Sequence, residues 1–166
     1  VQLTPAGSEA SQTDPEGIME NFDALRTNPA GKPHYRLSAK RLKHYSGSKR
    51  TELESPRFVQ LDVEAGEVSA VAKQATVSSN GDEVVLLGDV VVERAARPGQ
   101  SAMTLRTEQL LVFPERDLLR APGAVEILDD IVTVRAGAME YDAGQRVIKL
   151  TGRVRARYIA GQNQGS

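Results

Sequence analysis

Few residues in this sequence have side chains suited to catalysis or ion binding. The two histidines, His34 and His44, are ten residues apart with no acid beside either. In an unbroken strand they would lie about 33 Å apart, so shared metal binding would need the chain to fold back between them. We read them as surface or rim histidines and expect no metal and no cofactor. The adjacent acids Asp82-Glu83 and Asp129-Asp130 fall in or beside turn signals, where solvated carboxylates are ordinary and a glycosidase-like pair is not indicated. There is no G-x-S-x-G elbow, and no phosphate-binding or dinucleotide glycine motif. With no cysteine there is no thiolate nucleophile, disulfide or thiolate metal site. The expectation is a protein that is not an enzyme.

Two basic features remain. Lys40, Arg41, Lys43, Lys49 and Arg50 surround one turn, either as a solvated rim, the reading favoured here, or as a site for anionic phosphates. Arg153, Arg155 and Arg157 alternate along the last strand. They either guard an edge against aggregation or meet a partner or anionic headgroup.

The elements that would position these side chains come from an aliphatic chain of 166 residues, enough for one domain. Phe, Tyr and Trp supply only 4% of it. The 21 Lys and Arg nearly cancel the 22 Asp and Glu, so a nucleic-acid partner is not expected. Charge alternates in blocks, acidic over 1–30, basic over 31–60 and acidic again over 61–93. No apolar run reaches membrane-spanning length. The chain starts at Val1, which leaves room for a removed leader or anchor. Residues 1–16 read as a flexible polar linker and 161–166 as a disordered tail, which leaves 17–160 as the folded domain.

An internal repeat decides the fold class. Windows beginning near residues 35, 68, 103 and 132 each carry a small anchor, Ala39, Ala72, Thr107 or Ala136. Three residues later stands Leu42, Ala75, Leu110 or Met139. A turn follows, Ser46-Gly47-Ser48, Asn80-Gly81, Pro114-Glu115 or Ala143-Gly144, and then Pro56, Gly88, Pro122 or Gly152 closes the window. Asn80-Gly81 predicts a tight type I′ turn. Alternation predicts strands, with Met103, Leu105 and Thr107 on one face and Thr104, Arg106 and Glu108 on the other. Val84–Leu87 and Val90–Val92 read as strands covered on both faces. The closing Pro or Gly predicts a bend or bulge at a sheet corner. The class is all-β, a stack of similar antiparallel hairpins. Its first strand, about 18–27, and its last, about 146–158, lack a neighbour on one side and invite strand addition.

The apolar positions Phe58, Leu61, Val77, Leu86, Val90, Val92, Met103, Leu105, Leu110, Val112, Leu119, Ile127, Met139, Ile148 and Val154 form the predicted lining. They are either an ordinary packed core or the wall of an open groove for acyl chains.

The residues I-M-E-N-F (18–22), H-Y-R-L-S-A-K-R-L-K-H-Y (34–45) and T-E-L-E-S-P-R (51–57) resemble the LptC family of the Gram-negative lipopolysaccharide transport bridge. The later windows are similar to the OstA-like repeat of bridge proteins in general. The resemblance covers roughly 17–158. It implies an open, twisted β-jellyroll that holds the acyl chains of lipopolysaccharide between its sheets. It implies a periplasmic location and an inner-membrane tether, one N-terminal helix absent from this sequence. It also implies receipt of lipopolysaccharide from the inner-membrane ABC transporter at the N-terminal edge, here Ile18, Glu20, Phe22 and Ala24. Delivery would be to a soluble periplasmic bridge protein at the C-terminal edge, here Arg153, Arg155 and Arg157. A ligand-free scaffold that only pairs edges is the rival reading, and pairing of two copies into a homodimer is left open.

Overall fold

The structure, a computed structural model, describes residues 15–61 and 67–158. Most of the predicted linker and all of the predicted tail lie outside the described residues. Fourteen strands follow one another: β1 (Gly17–Thr27), β2 (Pro33–Tyr45), β3 (Arg50–Glu54), β4 (Arg57–Gln60), β5 (Val68–Val71), β6 (Gln74–Val77) and β7 (Val84–Arg94). They continue as β8 (Met103–Phe113), β9 (Leu118–Ala121), β10 (Val125–Leu128), β11 (Val132–Ala136), β12 (Ala138–Asp142), β13 (Val147–Thr151) and β14 (Arg155–Tyr158). A short 3-10 turn, Pro114–Arg116, is the sole helical element among the described residues.

All named strand pairs are antiparallel, and the sheet folds along a line into two leaves. In the first leaf the order is the C-terminal half of β1, the N-terminal half of β2, β4, β5, the C-terminal half of β7, the N-terminal half of β8, β10, β11 and β14. In the second it is the other half of β1, the other half of β2, β3, β6, the rest of β7 and β8, then β9, β12 and β13. Each hairpin therefore leaves the first leaf, crosses the fold line, turns at the far rim of the second leaf and crosses back.

This path gives the repeat a physical meaning. Strict alternation would put side chains i and i+2 on one face. At the outgoing crossing the inward set instead steps by three, from Ala39 to Leu42, Thr107 to Leu110 and Ala136 to Met139, all buried. In the second repeat the step runs from the partly buried Ala72 to the buried Ala75. The extra residue turns the inner face through the corner. The closing Pro56, Gly88, Pro122 and Gly152 sit at the return crossing, between β3 and β4, inside β7, between β9 and β10, and between β13 and β14. Gly88 has φ 86 and Gly152 φ 78, flanked by Asp89 at φ 46 and Arg153 at φ 51. The β7–β8 register slips by one between Leu87 and Val90, a bulge that bends the strand. Hydrogen bonds lace the line: Ser55 N–H to Lys73 O (2.9 Å), Lys73 N–H to Gly88 O (2.9 Å) and Gly137 N–H to Gly152 O (2.7 Å).

Three details differ from the sequence reading. The Asn80-Gly81 turn is not type I′, because only Gly81 has positive φ (80). The loop is longer, with Ser78 N–H reaching Glu83 O at 3.0 Å and Ser78 Oγ accepting from the Glu83 amide. The runs Val84–Leu87 and Val90–Val92 are covered on one face: Val84, Leu86, Val90 and Val92 are buried, while Val85, Leu87 and Val91 are half-buried on the outside. The last strand is two strands, β13 and β14, one in each leaf, because the chain crosses the fold line at Gly152.

Candidate functional site: the apolar interior and its two open ends

The inner faces of the leaves meet in one apolar cluster that extends from Leu42 and Ala39, opposite β1, to Met139 and Ala136, beside the last strands. Cross-strand pairs build it layer by layer: Leu53 with Leu42 and Ala75, Leu86 with Ala75 and Leu110. Leu86 and Leu110 are 0% exposed. Tyr35 and Phe58 lie with ring centroids 4.9 Å apart, which adds aromatic packing at the β2–β4 end. A gap between the leaves, lined by Phe58, Val68, Val92, Val112, Leu119 and Tyr141 among others, has a volume of about 10 Å³. That is room for about one water molecule, too little for an acyl chain at this place.

Of the predicted lining, Phe58, Leu86, Val90, Val92, Leu105, Leu110, Val112, Leu119, Ile127 and Met139 are buried in this interior. Val77 and Met103 pack against it half-buried. Leu61 (41% exposed) and Val154 (49%) are outside it, and Ile148 (40%) borders it from the uncovered end strand. Leu61 follows the end of β4 and Val154 lies in the link across the fold line. Ile148 is paired with buried Tyr141, but its strand has no neighbour to cover it. The sequence reading missed Tyr35, Leu37, Leu42, Leu53 and Tyr141, all buried. Their signal was present in β2, where Tyr35, Leu37 and Ala39 alternate and Leu42 and Tyr45 follow at steps of three.

The ends of the stack are open. Among the described residues, β1 pairs only with β2, β13 only with β12 and β14 only with β11. Within β1 the edge residues do not share a face. Asn21, at φ 57, breaks the alternation. Phe22 and Ala24 stand opposite buried Ala39 and Leu37, whereas Glu20 and Ile18 stand opposite Arg41 and Lys43 on the outside. Arg153 lies in the corner rather than in β14, so the arginine stripe reduces to Arg155 and Arg157, opposite Arg135 and Thr133.

The other polar candidates are engaged in pairing. Arg41 reaches Glu20 (3.3 Å) and Glu54 (3.8 Å), Lys43 reaches Glu54 (3.9 Å), and Arg50 reaches Glu52 (3.0 Å) while lying 4.6 Å above the Tyr45 ring. Much of the basic cluster is thus neutralised by acids on adjacent strands. His44 Nδ1 is 3.1 Å from Thr51 Oγ1, and His34 Nε2 is 3.9 Å from Asp117 Oδ1 at the opposite end of β2. Among the described residues no group of three His, Asp or Glu side chains is placed to hold a metal ion. No helix among them is long and apolar enough to cross a membrane.

A folded antiparallel sheet with an apolar inner face and an unpaired strand at each end defines an open β-jellyroll. The chain belongs to the LptC-related family of lipopolysaccharide-assembly proteins, whose family model matches residues 2–159. A role in lipopolysaccharide transport and a periplasmic setting follow at the level of the family. The fold is similar to that of LptH from Pseudomonas aeruginosa, described as the LptA-homologous periplasmic component of the conserved lipopolysaccharide transport device. The TM-score is 0.58 at 11% identity, covering 75% of this chain and 93% of that one. No curated protein matches the sequence.

Proposed function

We propose that this chain is a non-enzymatic carrier. It takes lipopolysaccharide from the inner-membrane ABC transporter at its β1 edge and passes it at the β13/β14 edge to a soluble bridge protein. A helix preceding residue 1 would tether it to the inner membrane. The observation that carries this reading is the apolar interior running from one unpaired edge to the other. Each acyl methylene moved from water into such an interior gains about 0.8 kcal/mol. A lining continuous with its neighbours lets the chain slide without meeting water. Direction must come from outside, because the sequence has no energy-coupling motif. The 10 Å³ gap requires the leaves to part when lipid is bound.

That same closure favours a second reading, a ligand-free scaffold that only pairs edges. Photo-crosslinking residues at Met103, Leu119 and Ile148, inward but not fully enclosed, separate the two in cells making lipopolysaccharide. Arg106 and Glu108, on the outer face, are the controls. Labelling confined to the inward set is the expected result. No labelling in protein that still assembles with its partners would overturn the carrier reading in favour of the scaffold.

A further inference from the structure

Opposite the fold line the free rims of the two leaves meet, and they meet through polar groups. Gln60 ends β4 in the first leaf, and Asp117 follows the 3-10 turn in the second. The Gln60 side-chain amide donates to Asp117 Oδ1 at 2.7 Å, a link between residues 57 apart in sequence. Nearby, Arg26 at the end of β1 reaches Glu115 of the same turn at 3.4 Å. Gln60, at 5% exposure, is one of two buried polar or charged residues among the described residues. The other, Thr107, has its hydroxyl bonded to Ala124 O within its own leaf. Asp117 is held for its part: its backbone is left-handed, at φ 52. Its N–H donates to Pro114 O (3.2 Å) and its carbonyl accepts from Ala143 N–H (2.8 Å). The small internal gap lies directly behind, walled by Gln60 and Asp117 together with Phe58, Val68, Leu119 and Tyr141.

We propose that the Gln60–Asp117 bond is a clasp that holds the rims together, and that acyl chains enter the interior beneath it. This rests on the carrier reading above and adds the place where the leaves part. An aliphatic pair at this point would seal the rim by burial and resist reopening. A hydrogen bond opens more readily, because water replaces each partner when the rims separate. Asp117 is already 39% exposed in its side chain, placed where water can reach it first. The Arg26–Glu115 pair, half-exposed on both sides, is screened by solvent and adds little. The clasp is therefore strong enough to set a closed resting state and weak enough for lipid to displace.

The sequence has no cysteine, so thiols can be placed without removing any. In a Gln60→Cys/Asp117→Cys variant, a short bis-maleimide with a reducible linker ties the rims. Purified lipopolysaccharide and a photo-crosslinker at Leu119 report loading. The tied protein should load at least tenfold less than the same variant untied, and reduction should restore loading; equal loading of tied and untied protein overturns the clasp. A second measurement needs no lipid. Spin labels at Lys32→Cys and Arg116→Cys should give one narrow distance in the otherwise wild-type chain. With Asp117→Ala the distribution should broaden toward longer distances, and an unchanged distribution overturns the clasp. Failure of the wild-type chain to load would refute the carrier reading alone, with the spin-label distances still deciding the clasp.

Discussion

Replacing Gly152 by alanine tests whether the closing residue of each repeat acts through the corner. Gly152 has φ 78, and an added Cβ would lie 3.1 Å from Gly137 Cα and 3.3 Å from Gly137 N. Both are backbone atoms, which cannot swing aside. The left-handed conformation costs an alanine about 1–2 kcal/mol. Relieving the clash must stretch the forked bond from Gly137 N–H to Thr151 O (2.8 Å) and Gly152 O (2.7 Å), at about 1 kcal/mol. Alanine also stiffens the unfolded chain, which returns about 0.4–1 kcal/mol. The net loss should be about 1–3 kcal/mol, read as a lower urea midpoint at unchanged slope. Amide exchange should accelerate first in β13 and β14. Gly123→Ala is the control: it occupies the same corner of the third repeat, no positive φ is recorded there, and an added Cβ would meet nothing within 4 Å. That substitution should leave stability unchanged or raise it by up to about 1 kcal/mol, through the stiffer unfolded chain alone. Equal midpoints for the two variants would refute the corner argument.

Two further outcomes follow from burial. Leu110→Ala removes a fully enclosed side chain beside Leu86 and should cost about 2–5 kcal/mol, whereas Leu111→Ala, on the half-buried outer face, should cost clearly less. Comparable urea midpoints would refute the assignment of Leu110 to the enclosed face of β8. Burial, and after it the Glu52 carboxylate, push the Tyr45 phenol above its ordinary 10.0. The unfolded chain then ionises first, so the stability from this site is fully present below about pH 10 and is lost as pH climbs through the raised folded value. Tyr45→Phe should flatten the alkaline fall in urea midpoint, and an identical slope with pH would refute the assignment.

The sequence carried the architecture further than the side-chain directions. The anchor, the residue three later and the closing Pro or Gly were all visible as a repeat, and they were enough for a stack of hairpins with unpaired ends. The closing Pro or Gly was legible as a corner; what the repeat did not disclose was that the three-residue step at the anchor is a corner too, so alternation holds only within one leaf and resets on crossing. Val154 was assigned to the lining because a single strand was assumed through Gly152. Ile148 faces inward as its pairing with Tyr141 requires, yet it is exposed, because a period-two pattern cannot register that the next strand is missing. Leu37, Leu42 and Leu53 were passed over because they are interleaved with Arg36, Arg41, Lys43, Glu52 and Glu54, and the charges dominated the reading of that segment. Gln60 and Asp117 had no local signal at all, since their contact is a property of the fold alone.

The three-residue step also bears on why the stack stays open. Each crossing adds a residue on the way out and a bend on the way back, so successive hairpins fold about one line and their inner faces stay in register. Nothing in that geometry closes the sheet on itself as a barrel would. The last hairpin ends as the others do, with β13 in one leaf and β14 in the other, and it exposes the same two-leaf profile that β1 presents at the opposite end. A strand added at either end would extend both leaves at once only if it too bent at the fold line. The corner at Gly152 and Arg153 thus shapes the exposed edge as well as the fold. A variant that straightens it should lose edge pairing in both leaves together, even with the arginines of β14 unchanged.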